Sequence, residues 1–270
     1  MPFEAGGVTT LIEARDLTKA FVRGSRWWPG GKRRTHALDG VSLALARGAS
    51  LGVVGESGCG KSTLARILIG LDAPSAGAVL WEGRATARFT RADWRRYWRT
   101  VQYVFQDARS ALNPRHTIGT IVEAPLATML GLSRAERARR VAALLEQVGL
   151  APAFRDRYPH ELSGGQAQRI VLARALAVEP EVLILDEPVS ALDVSIQAQV
   201  LALLAELRDR LVLTYLFISH DLAVVEQLCR DVVVMKDGRI VERGRLDAVF
   251  RAPQADYTKT LLAAARGAAA

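Results

Sequence analysis

The chain is poor in cysteine and in lysine, and it holds no long apolar stretch. Its two cysteines, Cys59 and Cys229, make neither a disulfide framework nor a four-ligand metal site, and they fit a reduced compartment. Apolar runs such as residues 182–185 fall far short of the roughly 18–20 residues that a membrane-spanning helix needs, so no bilayer crossing is expected. Met1-Pro2-Phe3-Glu4 offers neither a basic n-region nor an apolar h-region. A cleaved secretory signal is therefore not expected, and the chain is expected to stay in the cytoplasm. Only five of the 36 basic residues are lysine, an arginine bias of the kind a GC-rich genome produces. The net charge of +8 favours an anionic partner without choosing among nucleotide, nucleic acid and membrane face. What is present is ordinary globular material, 50% hydrophobic and 24% charged, which excludes wholesale disorder. At 270 residues it suits one large α/β domain, alone or with a small appendage.

Alternation of apolar and polar residues predicts half-buried strands over 10–15 and 41–45. Between them, residues 22–35 are rich in Gly, Arg and Trp and read as a surface loop. A short apolar strand over 50–54 runs straight into a Gly-rich turn, and a helix over 63–70 follows. Further strands are predicted over 77–81 and 101–105, with a short basic helix over 91–99 between them. From Asp107 to about Glu161 strand patterns vanish. Residues 118–129 and 134–148 carry helical periodicity, and Ser133 with Glu136 makes a capping box. The α/β rhythm then returns, with helices over 166–178, 194–210 and 222–228 and strands over 182–185 and 213–218. Asp237-Gly238 marks a hairpin between strands over 232–235 and 239–242. Two short C-terminal helices end the chain. Strands alternating with helices imply an α/β fold with a mostly parallel sheet.

Gly55-Glu56-Ser57-Gly58-Cys59-Gly60-Lys61-Ser62-Thr63 fits the phosphate-binding pattern GxxxxGK[ST], between a strand and a helix as that pattern requires. Successive backbone N–H groups must point at phosphate oxygens, and side chains would block the approach; hence the glycines. The helix N-terminus adds partial positive charge. Lys61 is expected to reach the β- and γ-phosphates and Ser62 to ligate Mg²⁺. Cys59 occupies a variable position of the pattern, which leaves a redox role open. A second feature is the apolar strand that ends in Asp186 and Glu187. Ligands of a parallel sheet sit beyond the carboxyl ends of its strands, where acids and phosphate loop can meet. There Asp186 would hold Mg²⁺ through water, and Glu187 would act as general base toward an attacking water.

Leu162-Ser163-Gly164-Gly165-Gln166 opens the helix that ends near Val178. It is again a helix N-terminus with bare backbone, a second phosphate site. The phosphate loop lies about a hundred residues upstream and the acidic strand about twenty downstream. With these three motifs in this order, the chain resembles the nucleotide-binding subunit of ATP-binding cassette (ABC) transporters, from about Leu11 to Leu262. The resemblance implies a P-loop NTPase fold in a single domain, 1–270. Residues 10–106 and 162–245 would form a RecA-like core with an N-terminal antiparallel β subdomain, 107–161 a helical subdomain, and 246–270 a short helical extension. It implies ATP and Mg²⁺ as ligands, with Mg²⁺ held by Ser62, Gln106 and Asp186. It also implies a second cassette whose ATP is engaged by residues 162–166. Phe21 resembles the aromatic that stacks on adenine, although a core Phe is the competing reading. Gln106 resembles the glutamine that senses Mg²⁺ and the attacking water. Ser190-Ala191-Leu192-Asp193 is similar to the loop that signals across the cassette dimer, and His220 to the switch histidine at the γ-phosphate. His36, His116 and His160 carry no catalytic role in this reading.

Several stretches resemble the importer group for peptides, nickel and opines. They include Ser110-Ala111-Leu112-Asn113-Pro114-Arg115 and Arg157-Tyr158-Pro159-His160-Glu161, and, near the C-terminus, Pro253, Tyr257-Thr258 and Leu261-Leu262. That resemblance implies an ATPase peripheral to the cytoplasmic face of the inner membrane. Its partners would be two permeases, a sister ATPase and, indirectly, an extracytoplasmic binding protein. Di- or oligopeptides are the expected cargo. Nickel or a metal chelate, an opine, an exporter's cargo, or a soluble complex of the carbon–phosphorus lyase type stay open. A Cys-rich C-terminal segment found in some relatives is missing, so no iron–sulfur cluster is expected. Ala167 departs from the larger polar residue common after the pentapeptide. Trp27-Trp28 with Arg26, Lys32, Arg33 and Arg34 would either touch anionic headgroups or form a solvated loop, the reading preferred. Trp94, Tyr97 and Trp98 are expected to face the core while their arginine neighbours point outward, so nucleic acid is not an expected partner.

Overall fold

The computed structural model describes residues 10–23 and 33–267. The headgroup or solvent reading of Trp27-Trp28 therefore falls outside the described residues, as does the reading of Met1–Glu4. Contacts divide the chain into two compact units, Met1–Thr90 with Leu216–Ala270, and Arg91–Tyr215.

The first unit opens with β1 (Thr10–Arg23), β2 (Arg33–Ala46) and β3 (Ser50–Val54), then α1 (Lys61–Leu68), β4 (Ala76–Trp81) and β5 (Arg84–Ala85). Strands β2-β1-β4-β5 form an antiparallel sheet in that order. The strands reach well into the segment read as a loop. Phe21 pairs with Thr35, Val22 with Arg34 and Arg23 with Arg33. Antiparallel pairing satisfies the backbone whatever the side chains are, so a polar composition did not prevent a strand here.

The second unit holds α2 (Arg91–Thr100), β6 (Val101–Val104), α3 (Ile118–Thr128), α4 (Arg134–Gln147), α5 (Gly164–Leu176), β7 (Val182–Asp186) and α6 (Val194–Leu211). No strand lies between 107 and 161. Strand β7 is buried along its whole length and pairs in parallel with β6, the pattern expected of an apolar run covered on both faces. The capping box of α4 is present: Glu136 N donates to Ser133 Oγ at 3.4 Å, and Ser133 N to Glu136 Oε2 at 2.8 Å. Helix α2 departs from expectation. Tyr97 is fully buried, but Trp98 is 40% exposed and lies against Trp94 at 5.3 Å between ring centroids. Residues 97 and 98 are turned about 100° apart around the helix, so the face that buries Tyr97 leaves Trp98 at its edge, against Trp94.

Strand β8 (Thr214–Ser219) runs through the division between the units. The first unit then closes with α7 (Leu222–Leu228), β9 (Asp231–Lys236), β10 (Arg239–Arg245), α8 (Leu246–Arg251) and α9 (Asp256–Gly267). There β3 lies between β8 and β9, parallel to β9, and β10 adds antiparallel at the edge. The close fit of α7 on β3 explains Gly52, where a Cβ would stand 2.4 Å from Val225 Cγ1. No helix among the described residues is long and apolar enough to cross a membrane.

Replacing Ser133 by Ala removes the N-cap acceptor of α4. We expect a loss of about 1 kcal/mol of stability, read by urea denaturation of the full chain.

Candidate active site

In the first unit, the phosphate-loop pattern joins β3 to α1 as expected. Gly55, Gly58 and Gly60 have φ of +150°, +82° and +109°. At Gly58 a Cβ would meet nothing within 4 Å, so the backbone angle alone selects glycine. At Gly55 and Gly60 a Cβ would lie 2.2 Å from Met235 O and Ala37 O respectively. These two glycines thus have a requirement beyond the open phosphate approach read from sequence: loop backbone lies directly against other backbone. Gly238 N donates to Cys59 O at 3.0 Å, and Asp39 N to Gly238 O at 2.8 Å. Asp39 is in turn clamped by Arg239, whose Nε donates to Oδ2 at 2.8 Å.

Lys61 is 4% exposed, and its ammonium donates to Gly55 O at 2.7 Å and Glu56 O at 2.9 Å. The side chain therefore closes back over its own loop. Helix α1 begins at Gly60 with no side-chain cap and no acid in its first turn, an arrangement that suits an incoming anion. Ser57, Gly58 and Ser62 are exposed, Thr63 is half-buried. Cys59 is 6% exposed, and burial pushes its thiol up, with Lys61 opposing that shift in part. A buried neutral thiol is inert, which argues against the redox role. Phe21, at the end of β1, is 43% exposed, so it is not a core residue. His220 follows β8, is exposed, and sits just before α7, whose N-cap Asp221 accepts from Ala223 N at 2.9 Å.

In the second unit, Asp186 ends β7 and is 4% exposed. Its Oδ2 accepts from Tyr103 Oη at 2.6 Å, a partner that sequence reasoning missed. The signal was available only as strand register, which sets Tyr103 beside Ile184, two residues from Asp186. Glu187 adopts φ +48°, an unusual angle for a residue with a side chain. Gln106 Nε2 donates to Glu187 Oε2 at 3.0 Å, so these two predicted residues meet. Ser190 N and Oγ both donate to Glu187 O, at 3.3 and 3.1 Å, which holds the turn leading into residues 190–193.

Ser163 caps α5 through a second capping box. Gln166 N donates to Ser163 Oγ at 3.3 Å and Ser163 N to Gln166 Oε1 at 3.0 Å. Gly165 packs so close to α6 that a Cβ would lie 2.4 Å from Ile196 Cγ2, and one on Gly164 would lie 3.0 Å from Leu192 Cδ2. Residues 162–166 and 190–193 are thus brought together. Ser163, Gly165, Leu192, Asp193 and Gln106 line one cavity of about 520 Å³. Leu162 itself is buried, and its carbonyl accepts from Arg109 Nη2 at 3.0 Å, a second contact that sequence spacing did not reveal.

Residues 38–190 match the family model described as ABC transporter. The chain belongs to the ABC transporter ATPase family. It is 48% identical over 257 residues to the oligopeptide transport ATP-binding protein OppF of Salmonella typhimurium, covering 94% of this chain and 77% of that protein. It is 46% identical to the dipeptide transport ATP-binding protein DppF of Escherichia coli, covering 94% and 76%. Among solved structures, the ATP-binding cassette MJ0796, a dimer in a post-hydrolysis state with ADP and phosphate, superposes with a TM-score of 0.77. That match has 29% identity and covers 87% of this chain and 99% of that one. The cassette cbiO1 of Clostridium perfringens gives 0.76 at 30% identity, covering 90% and 92%. As a member of this family the chain binds ATP and hydrolyses it.

Two outcomes follow from the geometry. Gly165→Ala should destabilise the full chain by about 1–3 kcal/mol through overpacking, and Ile196→Ala should return part of that loss in a double-mutant cycle. Cys59 should resist alkylation at neutral pH. Its raised pKa means the thiolate fraction, and with it the rate, grows only as pH climbs beyond the usual thiol range. Mass spectrometry of labelled peptides should find Cys59 slower than a free thiol of the same concentration.

Proposed function

We propose that the chain is the ATP-hydrolysing subunit of an importer for di- or oligopeptides. The observation that carries the cargo class is the 46–48% identity, over nearly the whole chain, to proteins named for oligopeptide, dipeptide and di/tripeptide transport. In this reading the chain sits peripherally on the cytoplasmic face of the inner membrane. It pairs with a second cassette and with two permeases, and an extracytoplasmic binding protein delivers cargo. Residues 107–161 are the helical subdomain on which a permease docks. Residues 10–106 and 162–245 form the nucleotide-binding body, and 246–270 the appended helices.

Phe21 stacks on adenine; its exposure supports that role over a core role. Gly55, Glu56, Ser57, Gly58, Cys59, Gly60, Lys61, Ser62 and Thr63 cradle the phosphates. Lys61, which satisfies its ammonium on loop carbonyls, exchanges one such bond for a phosphate oxygen. Ser62, Gln106 and Asp186 supply only oxygen donors, a hard set that fits Mg²⁺. When bound, that ion neutralises charge on the phosphate oxygens. Glu187 takes a proton from the attacking water. The water oxygen bonds to the γ-phosphorus, the bond to the β–γ bridging oxygen breaks, and ADP and phosphate leave. Gln106, bonded to Glu187, holds the carboxylate and registers the nucleotide, while His220 steadies the γ-phosphate. Leu162, Ser163, Gly164, Gly165 and Gln166 engage the ATP held by the sister cassette. Ser190, Ala191, Leu192 and Asp193 carry the signal across.

The test uses one variant. Glu187→Gln should bind Mg-ATP as the wild type does and lose about 10²–10⁴-fold in steady-state hydrolysis. Wild-type turnover would refute the base assignment. The same variant, tagged and trapped with Mg-ATP in solubilised native membranes, should bring down two permeases and a sister cassette. Capture of a soluble complex without permeases would overturn the transport reading.

A further inference from the structure

The C-terminal helix α9 reaches the phosphate loop. Tyr257, in its first turn, accepts a hydrogen bond at its hydroxyl from Glu56 N at 3.1 Å, across 201 residues of sequence. The two ends of this contact are anchored independently. Glu242 on β10 accepts from Gln254 N at 2.8 Å and from Ala255 N at 3.0 Å, which fixes the approach to α9. Thr258 and Leu262 are buried, so the helix is seated on the body of its unit. Lys236, the last residue of β9, sets its ammonium 4.9 Å from the centre of the Tyr257 ring. Two residues further on, Gly238 N holds the carbonyl of Cys59 at the other end of the loop. The loop backbone is therefore pinned at both ends: at Glu56 by a side chain of α9, and at Cys59 by the β9–β10 turn.

Pinning matters because the loop works through the orientation of its amides. A backbone amide bonded to a tyrosine hydroxyl is satisfied without a phosphate and is held at a fixed angle. The neighbouring amides then need less ordering when polyphosphate enters, which raises affinity by reducing its conformational cost. Burial raises the Tyr257 phenol above its ordinary value, so the hydroxyl stays neutral at physiological pH.

We infer that Tyr257 is a positioning residue for the phosphate loop, and that through it the C-terminal helix sets the affinity of the site for ATP. This rests on the reading of residues 55–63 as the phosphate cradle. It also assigns work to α9, which no step of the hydrolysis described above uses. Displacement of α9 by anything that binds the C-terminal face would loosen nucleotide binding by releasing the backbone at Glu56, although no residue of α9 itself contacts ATP in this reading.

The experiment compares the full chain with Tyr257→Phe and Lys61→Ala, using Mg-ATP as the probe. Removing one hydroxyl should raise the Kd and KM for ATP about fivefold, the worth of one neutral hydrogen bond. The kcat should stay within about twofold and the melting temperature of the nucleotide-free chain should be unchanged. Amide exchange should quicken at Glu56 and not across the sheet. Tyr257→Phe with wild-type ATP affinity, alongside a weakened Lys61→Ala, would overturn the role of Tyr257 and leave the cradle standing. Unchanged affinity in Lys61→Ala would overturn the cradle and this inference with it. A fall in melting temperature with faster exchange throughout would reduce Tyr257 to packing and equally overturn it.

Discussion

Backbone pressed against backbone around residues 55–60 is the constraint on which the first unit is built. At Gly55 and at Gly60 the loop lies where no Cβ could stand, against the carbonyls of Met235 and Ala37. Those carbonyls belong to β9 and β2, so a strand end and a hairpin must both arrive at fixed places for the loop to exist. The Asp39–Arg239 pair and the chain of amide bonds through Gly238 hold those arrivals together. A loop supported this way keeps its amides aimed without bound anion, which is the preorganisation that electrostatic catalysis demands.

The second unit solves a related problem by other means. Its acids sit at the end of a fully buried strand, yet one of them is turned out of the regular path. Glu187 leaves β7 in a left-handed conformation, its carbonyl held by Ser190 and its carboxylate by Gln106. Asp186, one residue earlier, stays with the strand and bonds to Tyr103 on its neighbour. Adjacent carboxylates are thereby given different surroundings by one backbone angle.

Much of this was legible from residues alone. The phosphate loop, the acidic strand end and the Leu162–Gln166 pentapeptide each announce themselves by local spacing, and local spacing is what sequence preserves best. The strands of β1 and β2 were read short, because Arg and Gly in residues 22–35 suggested a loop while the pairing partner that satisfies their backbone is invisible in one strand. Trp98 was placed inward because a helical period cannot say which of two adjacent aromatics wins a limited core. Tyr103, Arg109 and Tyr257 were missed as site neighbours for one reason. Each acts across 53 or more residues, through register or helix seating, and no local pattern encodes such a meeting.

The capping box on α5 has a consequence for what its two polar side chains can offer. Ser163 Oγ already accepts from Gln166 N, and Gln166 Oε1 already accepts from Ser163 N. Each side chain has turned an acceptor inward to the helix. What remains is the hydroxyl proton of Ser163, the two amide protons of Gln166 and one lone pair on each oxygen. With one lone pair of each oxygen spent inside the helix, donors outnumber acceptors on these two side chains, a bias toward an oxyanion set by the same bonds that begin the helix.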